Sequence, residues 1–209
     1  MIEPGAKRRE DNEIEFGRIV AFSDGVFSIA ITLLVLNLGI EKGLSSGQID
    51  DALWGLREDF LAFAISFAVI GRFWVVHHRF FAEVRAFDSR LIGLNLLYLA
   101  WIVLIPFSSE VLGEYGSETA GVVVYSVNLA IVTLVGLLMT TSAHRNGLTA
   151  IDEASYREGQ IRSAYIAAVF LLSIPLGFVV PGLTPFLWLA LFVDPSARLA
   201  RQRGVSRGG

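Results

Sequence analysis

Residues 18–38 read RIVAFSDGVFSIAITLLVLNL, an apolar stretch with Arg18, Ser23 and Asp24 gathered near its start. About 20 such residues in a helix cross a ~30 Å hydrocarbon core. A carboxylate inside such a helix is costly, so it points to a partner or to an ion path. A second polar set closes a later apolar run, RFWVVHHRFF, where His77 and His78 follow Arg72. Asp24 lies about a turn and a half inward of Arg18, and the two histidines reach a similar depth on a returning span. Arg72 lies about two turns deeper than His78. Asp24, Ser23, His77 or His78 and Arg72 can form one network, and two roles are open to it: contacts that fix helix packing, or a path for protons or ions. A metal centre is not expected. Adjacent histidines on a helix point about 100° apart, cysteine is absent, and the third histidine, His144, stands far along the chain.

These groups are carried by a chain of 209 residues, 54% hydrophobic and only 18% charged, with a net charge of −3. Soluble domains are about 45–50% apolar and ~25% charged. The composition therefore reads as an all-α membrane protein without a soluble domain. Without cysteine, disulfides and thiolate-bound metals are excluded. No serine elbow, HExxH, Walker loop or acid pair at a shared depth appears, so the chain does not read as an enzyme. No cofactor is expected.

Six apolar segments emerge by hydropathy, at approximately 19–40, 60–81, 91–112, 119–143, 161–180 and 183–200. The sixth is short and spans only if it continues past Pro195 with its arginines snorkelling. Pro106 and Pro175 are candidate kinks. Residues 1–17 and 201–209 read as polar tails. The Arg- and Gly-rich C-terminal end needs only anionic lipid as a partner, not nucleic acid. Basic residues crowd before span 1, between spans 2 and 3, between spans 4 and 5, and after span 6. The loop after span 3 is acidic (Glu110, Glu114, Glu118). The positive-inside rule then places both termini in the cytoplasm of a multi-pass protein of the cell (inner) membrane. Between spans 1 and 2, Ile49, Leu53 and Leu56 recur at helical spacing among acidic residues, an amphipathic helix at the outer interface or an outward extension of span 2.

Span 1 has two faces. At about 100° per residue, Ile29, Leu33 and Leu36 form a narrow apolar stripe, which Phe22, Val26 and Ile40 extend. Thr32 lies about 60° to one side of Ile29, and Asp24 about 140° away. Small residues (Gly25, Ser28, Ala30) permit close approach of neighbouring helices.

The string Arg18-x-x-x-Phe22-Ser23-Asp24-Gly25-Val26-Phe27, followed by Ile29-Ala-Ile-Thr32-Leu33-Leu-Val-Leu36, resembles the bacterial branch of the transmembrane protein 175 family of potassium channels. The resemblance continues through Trp74-x-x-His77, Asn95-Leu-Leu and Pro106-Phe107, and its motifs are confined to the first half of the chain. It implies one six-helix repeat per chain, a homotetramer, and a pore lined by helix 1 that conducts monovalent cations. The pore constriction carried over is Ile29, Leu33 and Leu36, with Thr32 contributing to selectivity. Arg18, Phe22, Ser23, Asp24, Trp74, His77 and His78 correspond to the structural polar network around helix 1. An apolar neck can gate by dewetting and offers no fixed ligands, so a preference for potassium over sodium is expected to be modest. The competing expectation is a proton-coupled transporter that relays through Asp24 and His77 or His78.

Overall fold

A computed structural model describes residues 5–39 and 43–192. The helices are α1 (Glu13–Leu33), α2 (Ser46–Gly55), α3 (Arg57–Ala82), α4 (Ser89–Val103), α5 (Ile105–Tyr115), α6 (Thr119–Arg145) and α7 (Glu153–Val179). Two 3-10 segments, Leu34–Asn37 and Pro181–Phe192, follow α1 and α7. Among the described residues five stretches are long and apolar enough to cross a membrane: Glu10–Asn37, Arg57–Ala82, Ser89–Tyr115, Thr119–Arg145 and Glu153–Val179. Their outer surfaces carry exposed Phe67, Leu96, Leu138 and Leu172, as helices facing lipid do.

The third span arrives in two pieces. Pro106 has no N–H to continue the helical ladder, and α4 ends at Val103 while α5 restarts at Ile105. Pro175, in contrast, is accommodated inside an unbroken α7. That helix starts at Glu153, ahead of the expected 161, because Asp152 caps it. The Asp152 carboxylate accepts from the Ala154 and Ser155 amides at 2.9 and 3.0 Å and from the Ser155 hydroxyl at 2.7 Å. Led by the Ser155 amide, these donors hold its carboxyl below the ordinary carboxylate range. The expected sixth span begins as the 3-10 segment Pro181–Phe192, whose pitch stretches 12 residues to about 24 Å. It does not number among the five spanning stretches. Its continuation through 193–200, the tail at 201–209, residues 1–4 and Ile40 of the first span lie outside the described residues.

Two cores hold the bundle. The larger packs Phe27, Leu34, Ile70, Tyr98, Tyr125 and Trp188 between α1, α3, α4, α6 and the second 3-10 segment. The smaller gathers Phe16, Phe81, Phe87, Met139 and Leu148 at the end where the loops α3–α4 and α6–α7 meet. There part of the N-terminal segment before the first span is paired. Strand β1 (Lys7–Arg8) pairs antiparallel with β2 (Ala86–Phe87), and Val84 bridges Thr149. The Arg9 guanidinium donates to the Ala82 and Val84 carbonyls at 3.2 and 3.3 Å and lies over the Phe16 ring. α1 therefore starts at Glu13, well before residue 19, from a tethered position.

Interhelical contacts are close where glycine permits. Gly121 sits in the first turn of α6, and a Cβ there would collide with the Tyr115 carbonyl oxygen. Gly121→Ala is expected to destabilise the fold by about 1–3 kcal/mol, read as a lower thermal midpoint in detergent.

Candidate functional site

α1 divides into a buried and an exposed face. Phe16, Ser23, Phe27 and Ala30 are buried at helical spacing against α3 and α4. On the other side Phe22, Ile29, Leu33 and Leu36 are 56, 59, 37 and 73% exposed, with Gly25, Ser28 and Thr32 beside them. An apolar surface of this extent on one helix faces lipid or other chains.

Two polar clamps hold the buried side. The first runs through three helices. The Ser23 hydroxyl donates to the Ile19 carbonyl at 2.9 Å and accepts from Asn95 Nδ2 of α4 at 3.0 Å. Asn95 Oδ1 then faces His77 Nε2 of α3 at 2.8 Å. A carboxamide oxygen only accepts, so Nε2 carries the proton in this arrangement. The imidazole is 3% exposed and boxed by aromatic rings: Phe81, Phe27 and Tyr98 lie 4.5, 5.4 and 5.7 Å away by centroid.

The second clamp joins α1 to α3 alone. Trp74 Nε1 donates to Asp24 Oδ1 at 2.8 Å, and the His78 ring stacks on the Trp74 indole at 5.4 Å. Successive residues on α1 point about 100° apart, so Ser23 and Asp24 reach different neighbours. Trp74 and His77 stand three apart on α3 and share the face that meets α1.

The structure thus brings together Ser23, Asp24, Trp74, His77 and His78, but as two clusters, one centred on Asn95 and the other on Trp74. Arg18 and Phe22 stand apart. Arg18 is exposed and makes no hydrogen bond or ion pair among the described residues, and Phe22 belongs to the exposed face. Arg72 lies exposed on α3. Among the described residues no group of three or more metal-ligating side chains occurs.

Two side chains central to this geometry were not among the expected site residues. Asn95 completes the first clamp. Its signal was a carboxamide inside the apolar run LIGLNLLYLAW, where a polar group needs a partner. Asn37 closes the end of the first span, donating from Nδ2 to the Pro106 carbonyl at 3.1 Å. Asparagine at a span end is common enough that no pattern singled it out.

A potassium channel of Streptomyces collinus is 35% identical over 177 residues, covering 81% of this chain and 86% of that protein. The sequence model of the family described as "Endosomal/lysosomal potassium channel TMEM175" matches residues 18–106. The chain belongs to the TMEM175 family. The fold agrees: the crystal structure described as a lysosomal potassium-selective channel TMEM175 homolog from Chamaesiphon minutus superposes with a TM-score of 0.74 at 30% identity, covering 85% of this chain and 95% of that one. The mouse member, named an endosomal/lysosomal proton channel, is 37% identical over 101 residues, 44% of this chain and 20% of its own length. The matched family region ends at Pro106 and so contains both clamps of α1. This TMEM175 member is accordingly a multi-pass membrane protein of an ion-channel family.

Removing the middle of the first clamp has a predictable cost. Asn95→Leu leaves His77 Nε2–H without its acceptor and takes from the Ser23 hydroxyl the bond it accepts, at about 1–2 kcal/mol. The double variant Asn95→Leu with His77→Phe removes both ends of the stranded bond and is expected to recover part of the loss, measured by thermal unfolding in detergent.

Proposed function

We propose that this chain forms a potassium channel whose pore is lined by the exposed face of α1 in a homotetramer, with both termini in the cytoplasm of the inner membrane. The observation that carries the reading is the two-sidedness of α1. One face is fastened to α3 and α4 by hydrogen bonds, while the apolar stripe of Ile29, Leu33 and Leu36 stays exposed among the described residues. The choice of ion is supported by the name of the Streptomyces relative and by the Chamaesiphon homolog, described as potassium-selective.

In this reading four copies bring Ile29, Leu33 and Leu36 to the axis as successive apolar rings. Such rings exclude water when narrow and conduct when they widen. The rings coordinate nothing, so discrimination rests on the lower dehydration cost of the larger ion. Thr32 adds polarity between them. Its hydroxyl donates to the Ile29 carbonyl at 2.9 Å, which leaves the oxygen lone pairs free to accept or to face a cation. Ser28 does the same one turn earlier, donating to the Asp24 carbonyl at 2.8 Å. Selectivity for potassium over sodium is therefore modest.

A proton route is the second reading, favoured by the mouse relative's name and by Asp24 and His77 on one helix pair. The two groups answer to different partners, Trp74 and Asn95, so a relay through them needs a rearrangement or water. Flux from liposomes loaded with potassium, sodium or a pH dye separates the readings. Ile29→Asn is expected to raise potassium flux several-fold by wetting the neck, and Asp24→Asn to leave the ion preference in place. Proton uptake abolished by Asp24→Asn, with potassium flux absent in every variant, would replace the channel reading with the transporter.

A further inference from the structure

α1 does not end as an α-helix. Its last described turn, Leu34–Asn37, is 3-10, continued by Leu38 N–H donating to the Val35 carbonyl at 3.1 Å. The change begins at Leu33, whose ψ of −26° already lies in the 3-10 range. In an α-helix, residues three apart are offset by about 60°, whereas in a 3-10 helix they eclipse. The turn thus sets Leu36 in line with Leu33 along the helix, and Leu36 is 73% exposed there. 3-10 turns are common at helix ends but have poorer hydrogen-bond geometry than α-helix, so something outside the turn can decide whether this one persists.

That something is Asn37. Its side chain is half-buried, and Nδ2 donates across to the carbonyl of Pro106, in the first turn of α5. The acceptor sits on the helix restart that Pro106 itself imposes, so it is fixed in place. Leu36 and Asn37 also line a cleft of about 260 Å³ with Asp59, Ser109 and Glu110, which leaves open space beside the turn for it to repack.

We propose that Asn37 is a positioning residue for the apolar neck: its bond to Pro106 holds the end of α1 in 3-10 form and thereby aligns Leu36 with Leu33. Loss of the bond lets Leu34–Asn37 revert to α-helix. That reversion turns Leu36 by about 60° and shortens the four-residue turn by roughly 2 Å, since the rise falls from about 2.0 to about 1.5 Å per residue. The inference deepens the channel reading in placing Leu36 on the pore, but the geometry of the turn stands without it.

The chain has no cysteine, so a single introduced thiol reports its own surroundings. Leu36→Cys and Ile29→Cys, each in full-length protein in liposomes, are modified with a charged methanethiosulfonate reagent, with and without Asn37→Leu. The modification rate at Leu36→Cys is expected to shift roughly two- to tenfold, the range that one hydrogen bond commands in an equilibrium. Ile29→Cys, in the α-helical part, is expected to keep its rate, and potassium flux to change in Asn37→Leu. An unchanged rate at Leu36→Cys overturns the proposal, as does an equal change at both thiols, which marks a general loosening of the fold. Asn37→Ser, too short to reach Pro106, repeats the comparison if Asn37→Leu does not reconstitute. If Ile29→Asn leaves all flux unaltered while the Leu36→Cys rate still depends on Asn37, the channel reading fails and the positioning role stands.

Discussion

Inside hydrocarbon a polar group must find its partner in the protein, and in this chain that requirement fastens α1. Ser23 and Asp24 are next to each other in sequence, yet each needs a donor or acceptor on another helix. Satisfying both at once fixes how far α1 is rotated about its own axis. Ser23 must meet Asn95, Asp24 must meet Trp74, and the remaining arc of the helix has to face outward. The apolar stripe is displayed because the polar edge is engaged. Buried aromatic rings around His77 make the arrangement rigid, since the imidazole is packed on several sides as well as hydrogen-bonded.

The rest of the bundle supports that placement from both ends. At one end the β1–β2 pairing and the Arg9 guanidinium tie the approach to α1 onto the loop between α3 and α4. Phe16, under the Arg9 guanidinium, continues this tie into the smaller core. At the other end Asn37 reaches Pro106. In between, a buried set on α3, α5 and α6 adds further interhelical bonds: Ser66 Oγ donates to Ser109 Oγ at 2.8 Å and lies 3.0 Å from the Tyr125 hydroxyl. The scaffold is held by hydrogen bonds at defined points, and between them small residues such as Gly121 allow close backbone approach. Association by packing and polar contacts, rather than by a difference between lipid and leucine, is what a bilayer solvent permits.

Proline sets the local irregularities. Pro106 divides the third span and, in doing so, presents a carbonyl to Asn37. Pro181 and Pro185 stand in the 3-10 segment after α7, where Trp188 anchors the segment by donating to Ser173 at 3.1 Å and packing on Tyr125. Tyr165 adds a bond to the Ala190 carbonyl at 2.9 Å. In both places side-chain hydrogen bonds tie the irregular segment to a neighbouring helix.

The sequence by itself determined the class of fold. Long apolar runs interrupted by charged loops can only be membrane helices, and hydropathy located five of them because hydrocarbon thickness sets their length. It also marked Ser23, Asp24 and His77, since polar groups in an apolar run stand out, with Trp74 added by the family resemblance, and it placed Ile29, Leu33 and Leu36 on one stripe through the helical period alone. Tertiary structure decided which polar groups meet. The family resemblance offered Arg18 to the network along with Asp24, but here Arg18 is exposed and Asn95 takes part instead. The paired β1 segment, the early start of α1 and the Asn37–Pro106 bond were likewise invisible, because each depends on a contact between residues far apart in the chain. Periodicity reports a residue's face on its own helix. Only the packed bundle says what that face meets.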